Sequence, residues 1–347
     1  MDPHTLMPSP DTLPVAWPWF EFLLIPVFAI HLIFMNALLG SGIIGWIDAM
    51  RSAKQGAGLA RTISRKLPFY MALAINFGVA ALLFMQVLYG HLFYTSSILM
   101  AVWWMGALGL VLVAYILIYW LDFRFDGPGA LRIGIYTLVV FCLLAVAFVF
   151  VNNVTLMADP PSWPRYFSNP GGTLWHWGDP TLIPRYLHFV TASMAVGGLA
   201  LALLQRKSAP DKAACGMKWF TAATAAQLVI GGWFFIALPP SMRIDFLGGD
   251  RWATGVLAVA MLGVWSALYF GIKRKILPAA WAAGVTILGM ILVRDAVRSA
   301  YLHPYFSVQQ LTAHSEFSPL VVFVLFVLLA ITAILYMLKL WKGAVPK

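Results

Sequence analysis

The chain has 347 residues, of which 61% are hydrophobic and only 10% charged, with a mean hydropathy of +0.84 and a formal charge of +10. A soluble domain carries about a quarter of its residues charged, so this composition excludes a water-soluble globule. The two cysteines, Cys142 and Cys215, and the absence of C-x-x-C-H exclude a disulfide framework and covalent haem attachment within the chain.

A membrane-spanning helix needs roughly 20 mostly apolar residues. Such runs fall near 19–48, 68–90, 97–120, 131–156, 183–205, 217–238, 252–272, 277–297 and 318–341. They predict an all-α integral membrane protein of about nine transmembrane helices, a single polytopic domain over 1–347. The first run is too long and too polar inside for a signal peptide, and no A-x-A site closes it.

The charge follows the spans. Arg51, Lys54, Arg61, Arg65 and Lys66 follow the first, and Arg124 and Arg132 follow the third. Arg206, Lys207, Lys212 and Lys218 follow the fifth, Lys273, Arg274 and Lys275 the seventh, and Lys339, Lys342 and Lys347 the last. That places 17 of the 23 basic residues on one side. By the positive-inside rule this side is cytoplasmic, with the N-terminus outside and the C-terminus in the cytoplasm. The basic charge is then an orientation signal, and a nucleic-acid partner is not expected.

Ionisable groups inside spans are costly and point to function. His31 lies in the first span, within Phe28-Ala29-Ile30-His31, and His188 lies in the fifth, within Arg185-Tyr186-Leu187-His188. Neutral imidazole is the common axial ligand of a non-covalent b-type haem. A hydrogen bond between helices is the other reading, and the residues leave the two open. Arg185, three residues before His188, shares its helix face and could clamp a haem propionate. Arg294, Asp295 and Arg298 at the end of the eighth span form a second group: two arginines beside one aspartate leave a positive excess that suits propionates, and a structural salt bridge suits them equally. His91, His176 and His303 are weaker candidates for a second axial ligand. Asn36, Asn76, Gln86, Asn152, Asn153 and Gln227 read as amides that hold helices together, and Glu21 and Asp48 as interfacial residues.

Several segments together resemble subunit I of the cytochrome bd quinol oxidase family. Lys66-Leu67-Pro68, Ala74-Ile75-Asn76-Phe77-Gly78-Val79-Ala80 and Phe84-Met85-Gln86 are similar to the family's K-L-F, I-N-F-x-x-G-V-A and E-F-Q run, with the glycine shifted. Val151-Asn152-Asn153 through Met157 to Pro160 is similar to V-A-N-G-W-M-Q-N-P, and Leu187-His188-Phe189-Val190-Thr191-Ala192-Ser193 to the segment that carries the low-spin haem ligand. The resemblance implies nine spans, an outside N-terminus and haems near the outer surface, with His31 on the oxygen-site haem and His188 on the low-spin haem.

The departures are specific. Met85 stands for a family glutamate, Ser97 and Met105 for glutamates on a proton route, Ala253 near the low-spin methionine and Ser299 near a glutamate ligand. Tyr301-Leu302-His303-Pro304-Tyr305 replaces G-R-Q-P-W, and the quinol-binding loop is cut to Pro239–Arg251. The resemblance therefore implies a shortened, diverged homologue with one or two haems, of the b kind or with haem d at the oxygen site. His303 or His91 is the candidate second ligand at His188. The expected function is a haem b-binding electron-transfer subunit in the inner membrane of a prokaryote, passing electrons between quinol and a partner cytochrome or oxygen. A second membrane subunit or a cytochrome c would be the partner in a respiratory chain. A haem-poor structural or assembly subunit that pairs with a complete bd-type chain is the alternative, and a transporter is a third reading.

Overall fold

The computed structural model describes residues 3–51, 58–314 and 317–344. Among the described residues, nine helices are long and apolar enough to cross a membrane, so the chain is an all-helical, multi-pass membrane protein. They are α1 (Trp17–Arg51), α2 (Leu67–Leu99), α3 (Ala101–Phe123), α4 (Gly129–Met157), α5 (Leu182–Gln205), α6 (Pro210–Ala237), α7 (Arg251–Ile272), α8 (Ile276–Leu302) and α9 (Phe317–Ala344). Each is apolar nearly all round, as a helix in lipid must be. Starts are marked by ordinary helix chemistry: proline stands in the first turn of α2 and α6, and Asp250 caps α7 by accepting from the Ala253 N–H at 2.7 Å. The second predicted span ends too early. The chain kinks at Tyr89 and then continues as helix to Leu99, because nothing after Gly90 breaks it and Leu92, Phe93 and Leu99 are buried against the bundle.

Helix α1 sits at the centre, packed against α2, α4 and α5 and touching α8, while α5 packs on α6 and α7 on α8. The α1–α5–α6 line is a contact of backbones. A Cβ on Gly40 would lie 1.7 Å from the Ser193 carbonyl oxygen, one on Gly197 2.4 Å from the Ser41 nitrogen, and one on Gly198 2.7 Å from the Gly216 oxygen. Small residues allow helices to approach this closely in lipid, where van der Waals contact drives association. Amides lock neighbouring joints: Ser193 Oγ donates to Asn36 Oδ1 at 2.7 Å, and Asn153 Nδ2 donates to Ser97 Oγ at 3.3 Å. Asn76, by contrast, is exposed and bonds only its own helix at Ala72. Helix α9 stands apart, with none of its best spanning window buried.

The bundle has two distinct ends. The Arg51 end is tied by the short helix Gly58–Ser64, whose Leu59 and Ala60 N–H groups donate to Asp48 Oδ2 at 3.1 and 2.8 Å. Asp48 is thus a helix-capping group and not a loose interfacial charge. Arg61 pairs with Asp122 at 3.1 Å, and Tyr136 Oη donates to the Ala60 carbonyl at 2.7 Å. Of the basic residues that carry the orientation reading, Lys54 and Lys347 lie outside the described residues. At the Trp17 end, Leu13 pairs with the segment before α9, donating to Thr312 O at 2.9 Å and accepting from His314 N at 2.8 Å.

Candidate haem-binding pocket

The face of α1 that carries Glu21, Phe28 and His31 meets the face of α2 that carries Ala74, Gly78, Met85 and Tyr89. The spacings i, i+7, i+10 and i, i+4, i+11, i+15 each draw one stripe on a helix. His31 lies about 21 Å along α1 from Trp17. Its Nδ1 is 2.9 Å from the Ala74 carbonyl oxygen. A carbonyl only accepts, so Nδ1 carries the proton and the Nε2 lone pair stays free. The ring reaches α2 because Gly78 has no side chain: a Cβ there would lie 2.8 Å from both Nδ1 and Cε1 of His31. Phe28 stacks beside the imidazole with ring centroids 6.0 Å apart.

Phe28 is also met by Arg294 of α8, its guanidinium carbon 4.8 Å from the ring centroid. Among the described residues Arg294 makes no hydrogen bond and no ion pair. Arg298, one turn on, is 6% exposed. It pairs with Asp295, lies 4.1 Å over the Tyr89 ring and sits 3.6 Å from Met85 Sδ. Glu21 is close enough to Asp295 and Arg298 to feel both charges. The expected pairing of Asp295 with Arg298 is present, and Arg294 makes no ion pair of its own, with Asp295 only within electrostatic reach.

His188 occupies the α5–α6 joint. A Cβ on Gly231 would lie 3.2 Å from its Cε1, and its backbone carbonyl accepts from Gln227 Nε2 at 2.6 Å. Its Nδ1 is buried without a hydrogen-bond partner. Arg185 faces α6 as well, 5.3 Å over the Phe234 ring, and its Nη2 donates to Thr181 Oγ1 at 3.2 Å. Arg185 also lies within electrostatic reach of Arg294.

The residues fit a b-type haem. Ligating histidines usually donate the second ring nitrogen to a backbone carbonyl or carboxylate, and His31 does so at Ala74. His188 offers a buried imidazole with an unbonded nitrogen. Arg294 offers a cation with no carboxylate of its own. The two weaker candidates are placed elsewhere. His303 is exposed at the cap of α8, and His91 packs edge-on against Phe306 at 4.4 Å, about 26 Å along α2 from Ala74.

Reasoning from single spans missed Tyr89 and the role of Gly78 and read Glu21 only as interfacial, because each acts across a helix joint. It gave His176 only as a weaker candidate for an axial ligand. His176 is in fact 3% exposed and held between Asp159 and Asp179. Burial raises the proton affinity of the Asp159 carboxyl, but the His176 imidazole 3.1 Å away, the hydrogen bond from Ser162 and the charge of Arg165 outweigh it and hold its pKa below the ordinary carboxylate value. A carboxylate with a depressed folded pKa stabilises the fold above its unfolded pKa and loses that contribution as pH falls through the folded value. Thermal unfolding of the wild type in detergent is therefore expected to drop more steeply below about pH 4 than that of Asp159→Asn; parallel curves would refute the contribution.

No known protein family matches this chain, and no curated protein sequence does.

Proposed function

We propose that the chain is a haem b-binding electron-transfer subunit of a bd-like respiratory complex, with its Trp17 end outside the inner membrane of a prokaryote. The observation that carries this reading is His31, with Nδ1–H given to the Ala74 carbonyl and Nε2 left free, one phenyl ring away from an arginine that has no carboxylate partner. A bound haem would supply an iron that takes up and gives back one electron at a time. His31 and His188 would hold it, or one haem each. Arg294 and Arg185 would bind propionates by charge-assisted hydrogen bonds. Gly78 and Gly231 keep the imidazoles against neighbouring helices, and Phe28 and Phe234 keep water from the pocket. Quinol is the proposed donor, and a partner cytochrome, a second membrane subunit or oxygen the acceptor.

The test is haem content by pyridine haemochromogen on protein purified in detergent, then reduced-minus-oxidised spectra with and without CO. A b-type signal is expected in the wild type, with a component lost in His31→Ala and in His188→Ala, and any CO-induced shift lost with His31→Ala. Folded wild-type protein without haem would overturn the assignment in favour of a haem-poor structural subunit that pairs with a complete bd-type chain.

A further inference from the structure

The segment between α4 and α5 sends Trp163 and His176 into the interior. The turn Pro160–Ser168 is pinned by Trp163, 1% exposed, whose Nε1 donates to the Leu156 carbonyl at 2.9 Å. Behind it, the backbone N–H of His176 donates to Asn152 Oδ1 at 3.2 Å, which sets the ring in the interior. His176 Nε2 lies 3.1 Å from Asp159 Oδ2 and 3.7 Å from Asp179 Oδ2, yet neither ring nitrogen makes an aligned hydrogen bond. Asp159 keeps a third of its side chain exposed, whereas Asp179 keeps a tenth. Asp179 Oδ1 accepts from Thr181 N at 2.6 Å and from Thr181 Oγ1 at 2.5 Å, and Thr181 Oγ1 accepts from Arg185 Nη2 at 3.2 Å. A row of polar groups thus leads from the partly exposed Asp159 past His176, Asp179 and Thr181 to Arg185. Arg185 stands one helical turn before His188, on the face that meets α6. The other charged or titratable groups facing the row are Arg165, beside Asp159, Tyr301, beside Thr181, and Arg294, within reach of Arg185.

We infer that His176 is a proton carrier that balances charge when an electron enters the pocket beside His188. This rests on the haem reading above. Imidazole can take up and release a proton, and here both ring nitrogens are buried without a hydrogen-bond partner, with a carboxylate on each side. A haem held beside His188 would supply a centre that takes and gives back one electron. Its change of charge would be felt through Arg185, Thr181 and Asp179, and His176 would take one proton from solvent by way of Asp159 for the electron gained and return it when the electron passes to a quinone or a partner cytochrome. His176 does not touch the haem and acts only through charge.

The experiment is a redox titration of the haem signal that depends on His188, using the purified holoprotein between about pH 5 and pH 8. In the wild type the midpoint potential is expected to fall with pH, at most by about 59 mV for each tenfold drop in proton activity. His176→Gln is expected to flatten the profile while keeping the spectrum. Should His176→Gln not fold, Asp159→Asn serves: it removes the partly exposed carboxylate through which the proton reaches His176 and is expected to flatten the profile as well. A haem-loaded His176→Gln or Asp159→Asn protein with the wild-type slope would overturn the inference. Protein without haem would instead sink the haem reading, and the carrier role with it.

Discussion

Gly40→Ala is expected to lose folded protein, while Gly42→Ala two residues away keeps it. A Cβ on Gly40 would overlap the carbonyl of Ser193, 1.7 Å away, whereas one on Gly42 would meet only the Val140 Cγ2 methyl at 3.8 Å. Ordinary overpacking costs about 1–3 kcal/mol because side chains can shift. At Gly40 the obstacle is the backbone of α5, and Gly197 faces back toward the backbone of Ser41 and Gly40, where a Cβ would lie 2.4 and 2.5 Å away. The two helices would have to separate, and the Asn36–Ser193 hydrogen bond would break with them. The loss should exceed the upper end of that range. At Gly42, alanine gains helix propensity of up to about 1 kcal/mol and strains nothing. Recovery of monodisperse protein after detergent extraction, with thermal unfolding of what is recovered, distinguishes the two. Equal behaviour would mean that α1 and α5 do not meet as described. Because α1 carries His31 and α5 carries His188, the Gly40 variant should also lose any bound haem.

Arg298→Met should destabilise the protein by about 3–5 kcal/mol, the usual effect of removing one partner of a buried ion pair. The guanidinium is nearly enclosed, with Asp295 as its ion partner, Tyr89 beneath it and Met85 beside it. Methionine replaces most of the packing and none of the charge. Asp295 would then lose its ion partner and keep only the more distant charge of Arg294, with Glu21 as a repelling neighbour. Arg298→Met combined with Asp295→Asn should recover most of the loss, since a neutral pair needs no counter-charge. Thermal unfolding in detergent reads both. A double variant as unstable as the single one would show that the stack on Tyr89, and not the ion pair, holds α8 to α2.

The spans were legible because the bilayer imposes them. Every peptide group must be bonded within its own helix, and roughly 20 apolar residues must cover the lipid's depth. His31 and His188 were legible for the same reason: an ionisable group in such a run stands out. The end of α2 was less so, since a kink at Tyr89 without proline leaves no mark in composition. The inward fold of the segment around His176 was hidden as well. That segment lies between spans, where hydropathy says nothing of burial, and only the packing of Trp163 and the bond to Asn152 bring the imidazole inside.

By itself, then, the sequence determined the helical class, the number of spans and which ionisable groups lie in them, because those follow from hydrophobicity counted along one chain. Only the tertiary structure decided what each group faces. It set the Ala74 carbonyl and Gly78 against His31, took Asp295 for Arg298 and left Arg294 with Phe28, and closed Asp159 and Asp179 around His176. These partners lie on different helices or across a loop. The rotation and depth of each helix that bring them together come from close packing at small residues, which no periodicity within a single span records.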